Sequence, residues 1–242
     1  MDISHYEEKE GFRYWSAEDR KHAVNVGHED KLRRRELLQH VVSNRKWMDI
    51  GTGSGGILDE LSPLASQTCA VEPQNIARVS LKKLGYDVYP SIQSITQTNF
   101  DVVTLFHVFE HFTNPFEDLK LIFRKMAAQG KIIIEVPHAK DFLISFFEHE
   151  SFKKFTFWSE HLILHTRQSL TIFLEKAGFE DIIVTACQRY PLANHFYWLS
   201  KDKPGGHQVW SILRTLELDS AYSQMLSQLD KTDTIIAVAK KS

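Results

Sequence analysis

The run Trp47-Met48-Asp49-Ile50-Gly51-Thr52-Gly53-Ser54-Gly55-Gly56 constrains this chain more than any other stretch. An apolar run carrying one Asp breaks into four glycines, and a helical pattern resumes at once with Ile57, Leu58 and Leu61. That order is a strand, a tight turn and a helix. Glycines lack a Cβ, so the backbone can bend sharply there and a ligand can come close. A second apolar run, Thr68 to Val71, ends in Glu72, as a neighbouring strand presenting one carboxylate at its tip would. Such a carboxylate can accept two hydrogen bonds from a ribose diol. The pairing predicts a nucleoside site.

The chain around it has 242 residues, enough for one sizeable core, and 43% hydrophobic with 25% charged residues is ordinary for a globular protein. A formal charge of −2 offers no general attraction to nucleic acid or to anionic membranes. Cys69 and Cys187 are the only cysteines, which excludes a disulfide framework or a cysteine-based zinc pattern. The polar, mixed-charge start from Met1 to Arg20 does not read as a signal peptide, and no apolar run reaches the roughly 20 residues that span a bilayer. The expectation is a cytoplasmic protein.

Strand and helix signals alternate from about residue 45 to 135, which implies right-handed βαβ units and a parallel sheet. After the glycine turn, Pro73 to Leu84 reads as a helix closed by Gly85, and Tyr86 to Tyr89 as a short strand. Phe100 to Phe106 is nearly continuous in apolar character, as buried parallel strands are. Pro115 to Ala127 reads as a helix, Lys131 to Val136 as a strand, and residues 167–177 as a helix stopped by Gly178. Strands starting at Ile182 and running from Thr234 to Ala239 close the chain. One helical pattern precedes the glycine turn, from about Ala17 to His40, and its basic run Lys31 to Arg35 reads as a solvated face. The whole is predicted to be a single domain over 1–242. It has an N-terminal helical extension (1–40) and two substrate-covering insertions, an aromatic and His-rich one at 139–166 and another at 188–228.

Gly51, Gly53 and Gly56 with Glu72 also match the dinucleotide fingerprint G-x-G-x-x-G, so a nicotinamide-dependent oxidoreductase is one reading. Asp49 argues against it. A carboxylate at the strand tip repels a pyrophosphate and attracts a cation. S-adenosylmethionine (SAM) carries an ammonium and a sulfonium and no phosphate, so the charge pattern favours SAM.

On these residues the chain resembles the class I SAM-dependent methyltransferases over about residues 45 to 190. Asp49 to Gly55 resembles the family's first motif, Glu72-Pro73 its acidic ribose-binding strand end, and Phe100 to Val103 with Phe106-His107-Val108-Phe109-Glu110-His111 its fourth-strand motif. The resemblance implies an α/β, Rossmann-like seven-stranded sheet of order 3-2-1-4-5-7-6 with helices on both faces and the two insertions as a lid. Glu135-Val136-Pro137, Trp158 to Leu162, and Gln188 to His195 are similar to a bacterial subgroup associated with capsular and lipopolysaccharide sugars. That implies a small polar acceptor, a sugar or phosphorylated metabolite, and a homodimer is compatible with it.

The expected SAM contacts are Asp49, Gly51, Thr52, Gly53, Glu72, Pro73, Phe106 and His107, with S-adenosylhomocysteine as product. Where the family often has an acidic residue for adenine, this chain has Pro90-Ser91-Ile92-Gln93, leaving Ser91, Gln93 or a carbonyl for that role. Candidate bases are His111, His161 and His195, since a near-neutral imidazole can take a proton from a hydroxyl acceptor. Candidate acceptor contacts are Tyr14, Glu110, Trp158, Arg189 and Asn194. His107 to His111 also spells the zinc-peptidase pattern H-x-x-E-H, but its first His falls at a strand end rather than on a helix, and no metal is expected. A non-catalytic protein that keeps the SAM cleft as an interaction surface is the remaining alternative.

Overall fold

The computed structural model describes Arg20, Val24 and residues 28–158 and 160–242. The expectations for residues 1–16, Tyr14 among them, and for Ser159 fall outside the described residues. Seven strands form one sheet of order β3-β2-β1-β4-β5-β7-β6: β1 Lys46–Ile50, β2 Gln67–Val71, β3 Val88–Tyr89, β4 Phe100–Phe106, β5 Met126–Pro137, β6 Phe179–Cys187 and β7 Thr234–Lys241. The first five run parallel, and β7 lies antiparallel between β5 and β6. The expected order holds.

Among the described residues the α-helices are α1 His28–Val42, α2 Gly56–Leu61, α3 Asn75–Lys83, α4 Pro115–Lys125, α5 Phe142–Ser145, α6 Glu150–Thr156, α7 Arg167–Ala177, α8 Leu192–Lys201, α9 Gly206–Val209 and α10 Leu216–Gln228. The sheet is covered on both faces, because alternate side chains of the central strands point opposite ways. Trp47, Ala70, Val102 and Ile133 pack with Leu38 and Val42 of α1, Leu58 and Leu61 of α2, and Leu81 of α3. Met48, Cys69, Val103 and Ile132 pack with Leu119 and Ile122 of α4 and with Leu170 and Leu174 of α7. Gly178 ends α7 at φ 100°, as expected, and Thr166 and Ser169 form a reciprocal capping box at its start.

Strand order reverses direction between β1 and β4, the place where open parallel sheets bind ligands beyond their carboxyl ends. Gly51 makes that crevice possible. It has φ +74°, and a Cβ on it would lie 2.2 Å from a methyl of Val108 in the loop after β4. Phe152 and Phe155 of α6 meet Trp198 of α8 edge-on and tilted at ring separations of 5.0 and 5.2 Å, so the segments 139–166 and 188–228 pack on each other. Among the described residues no helix is long and apolar enough to cross a membrane.

Leu119 has no exposed surface and sits among Ile122, Leu170 and Leu174 in the larger core. Leu119→Ala is expected to lower unfolding free energy by about 2–5 kcal/mol. The check is the urea midpoint, with an unchanged slope.

Candidate active site

Four buried carboxylates surround the crevice, and each is held by a different kind of partner. Asp49 and Thr104 are register neighbours on β1 and β4, so their side chains emerge on the same face. The Trp47 indole donates to Thr104 Oγ1 (2.8 Å), and the Thr104 hydroxyl then donates to Asp49 Oδ1 (2.6 Å). With Trp47 supplying the proton to its oxygen, the threonine hydroxyl is oriented toward Asp49. Burial pushes the Asp49 carboxyl up to about 6, against the pull of that hydroxyl.

Glu72 follows β2. Its Oε2 accepts from the Gly53 backbone amide at 2.7 Å and its Oε1 from the Gln74 amide at 2.8 Å. The glycine turn is thereby tied to the tip of the neighbouring strand. Burial pushes Glu72 up to about 7, with the two amides opposing. Arg20 braces the other side of the turn, donating to the Ser54 carbonyl (2.9 Å) and to both oxygens of Asp59 (2.6 Å each).

Glu135, at the end of β5, has no exposed surface and takes cations. Arg33 Nη2 reaches both its oxygens at 2.9 Å, and Arg34 Nη2 reaches Oε1 at 2.6 Å. His107 Nε2 is 3.2 Å away. Burial works to raise the Glu135 carboxyl, but Arg34, His107 and Arg33 hold it well below the carboxylate range. Arg33 and Arg34 correct the sequence reading of Lys31 to Arg35 as a solvated face: they turn inward, and Arg34 also lies over the Phe106 ring at 4.5 Å. Lys31 and Arg35 pair instead with Glu60 on α2, at 3.1 and 2.9 Å.

Arg189 joins this network from the second insertion. It grips both oxygens of Asp30 through Nε (3.0 Å) and through Nη2, while Nη1 lies 2.8 Å from His107 Nε2. His107 Nε2 therefore lies between the Arg189 guanidinium and the Glu135 carboxylate. His107 Nδ1 faces Glu110 Oε1 at 3.6 Å. His107 occupies the left-handed region at φ +55°, an uncommon conformation for a side chain of this size. Its amide donates to the Glu135 carbonyl at 2.8 Å, which anchors the bend.

Glu110 is fully buried among imidazoles. Burial raises its carboxyl, while His107 and His111 outweigh that and hold it below its ordinary value. His111 Nδ1 is 2.7 Å from the Glu160 carbonyl, and His161 Nδ1 is 2.7 Å from the Thr156 carbonyl. The Leu162 amide donates to the Glu110 carbonyl at 2.9 Å, so the first insertion is pinned to the loop after β4. His111 and His161 end with ring centroids 5.0 Å apart. Trp158 is exposed, with its ring 5.6 Å from that of His161.

The structure thus gathers Asp49, Gly51, Thr52, Gly53, Glu72 and Pro73 at the glycine turn. It gathers Phe106, His107, Glu110, His111, Trp158, His161 and Arg189 on the opposite wall. Two expected residues stand apart. His195 is buried in α8, its Nδ1 2.6 Å from the Tyr222 hydroxyl, and burial pushes its pKa down to about 4. Asn194 is buried beside it, with its Oδ1 3.4 Å from His207. Ser91 sits in the turn after β3 and hydrogen-bonds with Ser94, while Gln93 donates to Asp118 at 3.3 Å. Asp30, Arg33, Arg34 and Glu135 were missed as a group. The available signal was Glu135 itself, a charge inside an otherwise apolar strand run.

A sheet of this order with carboxylates at the tips of its first two strands and a glycine turn between them defines a methyltransferase of the Rossmann-like class. Residues 15–184 match the family described as a methyltransferase domain, and the chain belongs to that family. No curated protein sequence matches the chain. Solved structures similar in fold include a SAM-dependent methyltransferase from Archaeoglobus fulgidus, with 21% identity and TM-score 0.61 over 87% of this chain and 92% of that one. Another is a SAM-dependent methyltransferase from Thermotoga maritima, with 18% identity and TM-score 0.60 over 90% and 91%. A third is phosphoethanolamine N-methyltransferase 2 of Haemonchus contortus in complex with SAM, with 17% identity and TM-score 0.56 over 86% of this chain and 52% of that one.

The donor set fits SAM, the cofactor of this class. Each Glu72 oxygen spends one lone pair on a backbone amide and keeps another for a ribose hydroxyl, and Asp49 supplies negative charge near a cationic amino acid. Both carboxyls sit above their ordinary values, so they favour the folded state most at low pH and lose that contribution as pH rises through about 6 and about 7. A cationic ligand favours the ionised forms. SAM affinity is therefore expected to rise as pH is raised from about 5.5 to about 7.5, by at most about tenfold per pH unit for each group. Binding near pH 6 should release protons, seen as a calorimetric enthalpy that varies with the ionisation enthalpy of the buffer.

Proposed function

We propose that this protein transfers the SAM methyl group to a hydroxyl or amine of a small polar acceptor bound between the glycine turn and the wall His107–His111–His161. The observation that carries this reading is the pair of buried carboxylates, Asp49 and Glu72, held at one turn by neutral donors: a hydroxyl for one and backbone amides for the other. Asp49 is not adapted to sit beside a pyrophosphate, which disfavours a nicotinamide cofactor.

Bound there, SAM supplies a methyl group on a sulfonium, open to in-line displacement. The chain's residues then have three tasks. Asp49 and Glu72 hold the donor. The packed insertions, with Phe152, Phe155 and Trp198 between them, cover the carboxyl end of the sheet and limit water. His161 handles a proton: its Nδ1–H is committed to the Thr156 carbonyl, which leaves the lone pair on Nε2, and burial keeps its pKa below the ordinary value. For a hydroxyl acceptor the oxygen attacks the methyl carbon, the carbon–sulfur bond breaks, S-adenosylhomocysteine leaves, and the proton goes to an imidazole of this wall. A neutral amine sheds its proton after the transfer.

For the acceptor we favour a sugar or sugar-linked phosphorylated metabolite of surface polysaccharide biosynthesis. The support is the similarity of Glu135-Val136-Pro137, Trp158 to Leu162 and Gln188 to His195 to the sugar-associated subgroup. Each stretch supplies a residue to the wall opposite the glycine turn: Glu135, Trp158 and Arg189. Arg189 is then the acceptor's anion contact and Glu110 and Trp158 its neighbours, with the reaction placed in the cytoplasm. His195, locked to Tyr222, supports the second insertion.

Two variants separate donor from acceptor functions. Glu72→Ala is expected to weaken SAM binding about ten- to a hundredfold by calorimetry, since it removes the diol acceptor and strands two amides. His161→Ala is expected to leave SAM binding unchanged and to lower turnover about 10²- to 10⁴-fold. The readout is the mass shift of one methyl across a panel of sugar nucleotides and phosphorylated metabolites. Full turnover by His161→Ala, or tighter binding of NAD than of SAM, would overturn this reading.

A further inference from the structure

The imidazole wall has a feature that proton transfer alone does not require. Both carboxylate oxygens of Glu110 are buried and accept no hydrogen bond. An ionised carboxylate in that state is costly unless a cation compensates it. The nearest imidazoles stop short of hydrogen-bonding distance, with His107 Nδ1 at 3.6 Å and His111 Nε2 at 3.9 Å from Oε1. One ligand atom each from Glu110, His111 and His161 can be drawn from a group lying within 4.8 Å of one another. That spacing lets three donors converge on one ion with small side-chain movements.

The rings are also set as metal-bound histidines are. A carbonyl oxygen can only accept, so each Nδ1 that meets one, His111 at Glu160 and His161 at Thr156, carries a proton. In the neutral rings the lone pair is then on Nε2. A backbone carbonyl that fixes the tautomer through the far nitrogen is the usual outer support of a histidine ligand. The loop geometry is fixed independently, by the Leu162 and Ile163 amides on the Glu110 carbonyl at 2.9 and 3.2 Å.

We propose that Glu110, His111 and His161 bind one divalent transition-metal cation. Two imidazole nitrogens and one carboxylate oxygen suit zinc, cobalt, iron(II) or manganese, whereas calcium and magnesium take oxygen ligands. Three protein ligands leave coordination positions open. This departs from the expectation of no metal, and also from the peptidase reading of H-x-x-E-H. His107 is not a ligand, because Arg189 occupies its Nε2; the third ligand comes from the first insertion. On the methyltransferase reading, the open positions would hold an oxygen of the acceptor, and a cation-bound hydroxyl would lose its proton to solvent in place of the direct transfer to His161. The site itself needs no assumption about the acceptor.

The test is a titration of chelator-treated full-length protein with cobalt(II) chloride, followed by visible d–d absorption, with SAM binding measured alongside. Wild type should saturate at one equivalent. Glu110→Gln and His161→Gln should each lose at least about tenfold in cobalt affinity while binding SAM as wild type does. If Glu110→Gln fails to fold, the partly exposed His161→Gln carries the comparison. No saturable absorption in wild type, or unchanged cobalt affinity in His161→Gln, overturns the site. Cobalt uptake by a protein that does not bind SAM would overturn the methyltransferase reading and uphold the site.

Discussion

A charge with no exposed surface can persist only if cations enclose it, and Glu135 at the end of the central strand β5 is such a charge. Its enclosure draws on separate parts of the chain. Arg33 and Arg34 come from the helix that precedes the sheet, and His107 from the bend after β4. Arg189 comes from the second insertion and is shared with Asp30. Removing one partner of a buried ion pair typically costs about 3–5 kcal/mol, because the remaining charge is stranded. The path of α1 across the carboxyl edge, the left-handed bend at His107 and the docking of the 188–191 loop are therefore mutually dependent. Together they form one wall of the crevice.

The four buried carboxylates divide the crevice by chemistry. Glu135 is neutralised by guanidinium groups and holds its charge, which suits a structural role. Asp49 and Glu72 are restrained by a hydroxyl and by amides, and burial raises both; each gains from a ligand that brings hydroxyls or positive charge. Glu110 lies among imidazoles with no hydrogen bond to its oxygens, and it gains from a cation. On the proposed reading, the donor and acceptor sides of a methyl transfer correspond to different ways of keeping a carboxylate out of water.

Much of the fold was legible because the signals are local. Asp49, the glycines and Glu72 mark a strand, turn and strand tip, and Gly178 marks the end of α7. Boundaries slipped where tertiary pairing overrides propensity. The helix expected to reach Ala127 stops at Lys125, because Met126 onward is taken up into β5 and pairs beside Phe100. Similarly, β6 begins at Phe179, ahead of the apolar triplet Ile182 to Val184, by pairing with Lys241 of β7.

The site divides along the same line. Sequence alone determined the glycine turn with Asp49 and Glu72, the proposed donor side, since these residues lie at two neighbouring strand tips and their spacing sets their geometry. Only the tertiary structure decided the other wall. Arg33 and Arg34 lie in a run of charges that reads as a solvated face, and nothing local shows that a buried Glu135 waits opposite. His111 and His161 are far apart in the chain and are joined by the backbone hydrogen bonds between the first insertion and Glu110. His195, chemically equivalent to either in the sequence, is sequestered by Tyr222. A side chain's type states what it can donate or accept, but burial and long-range pairing decide which partner it meets.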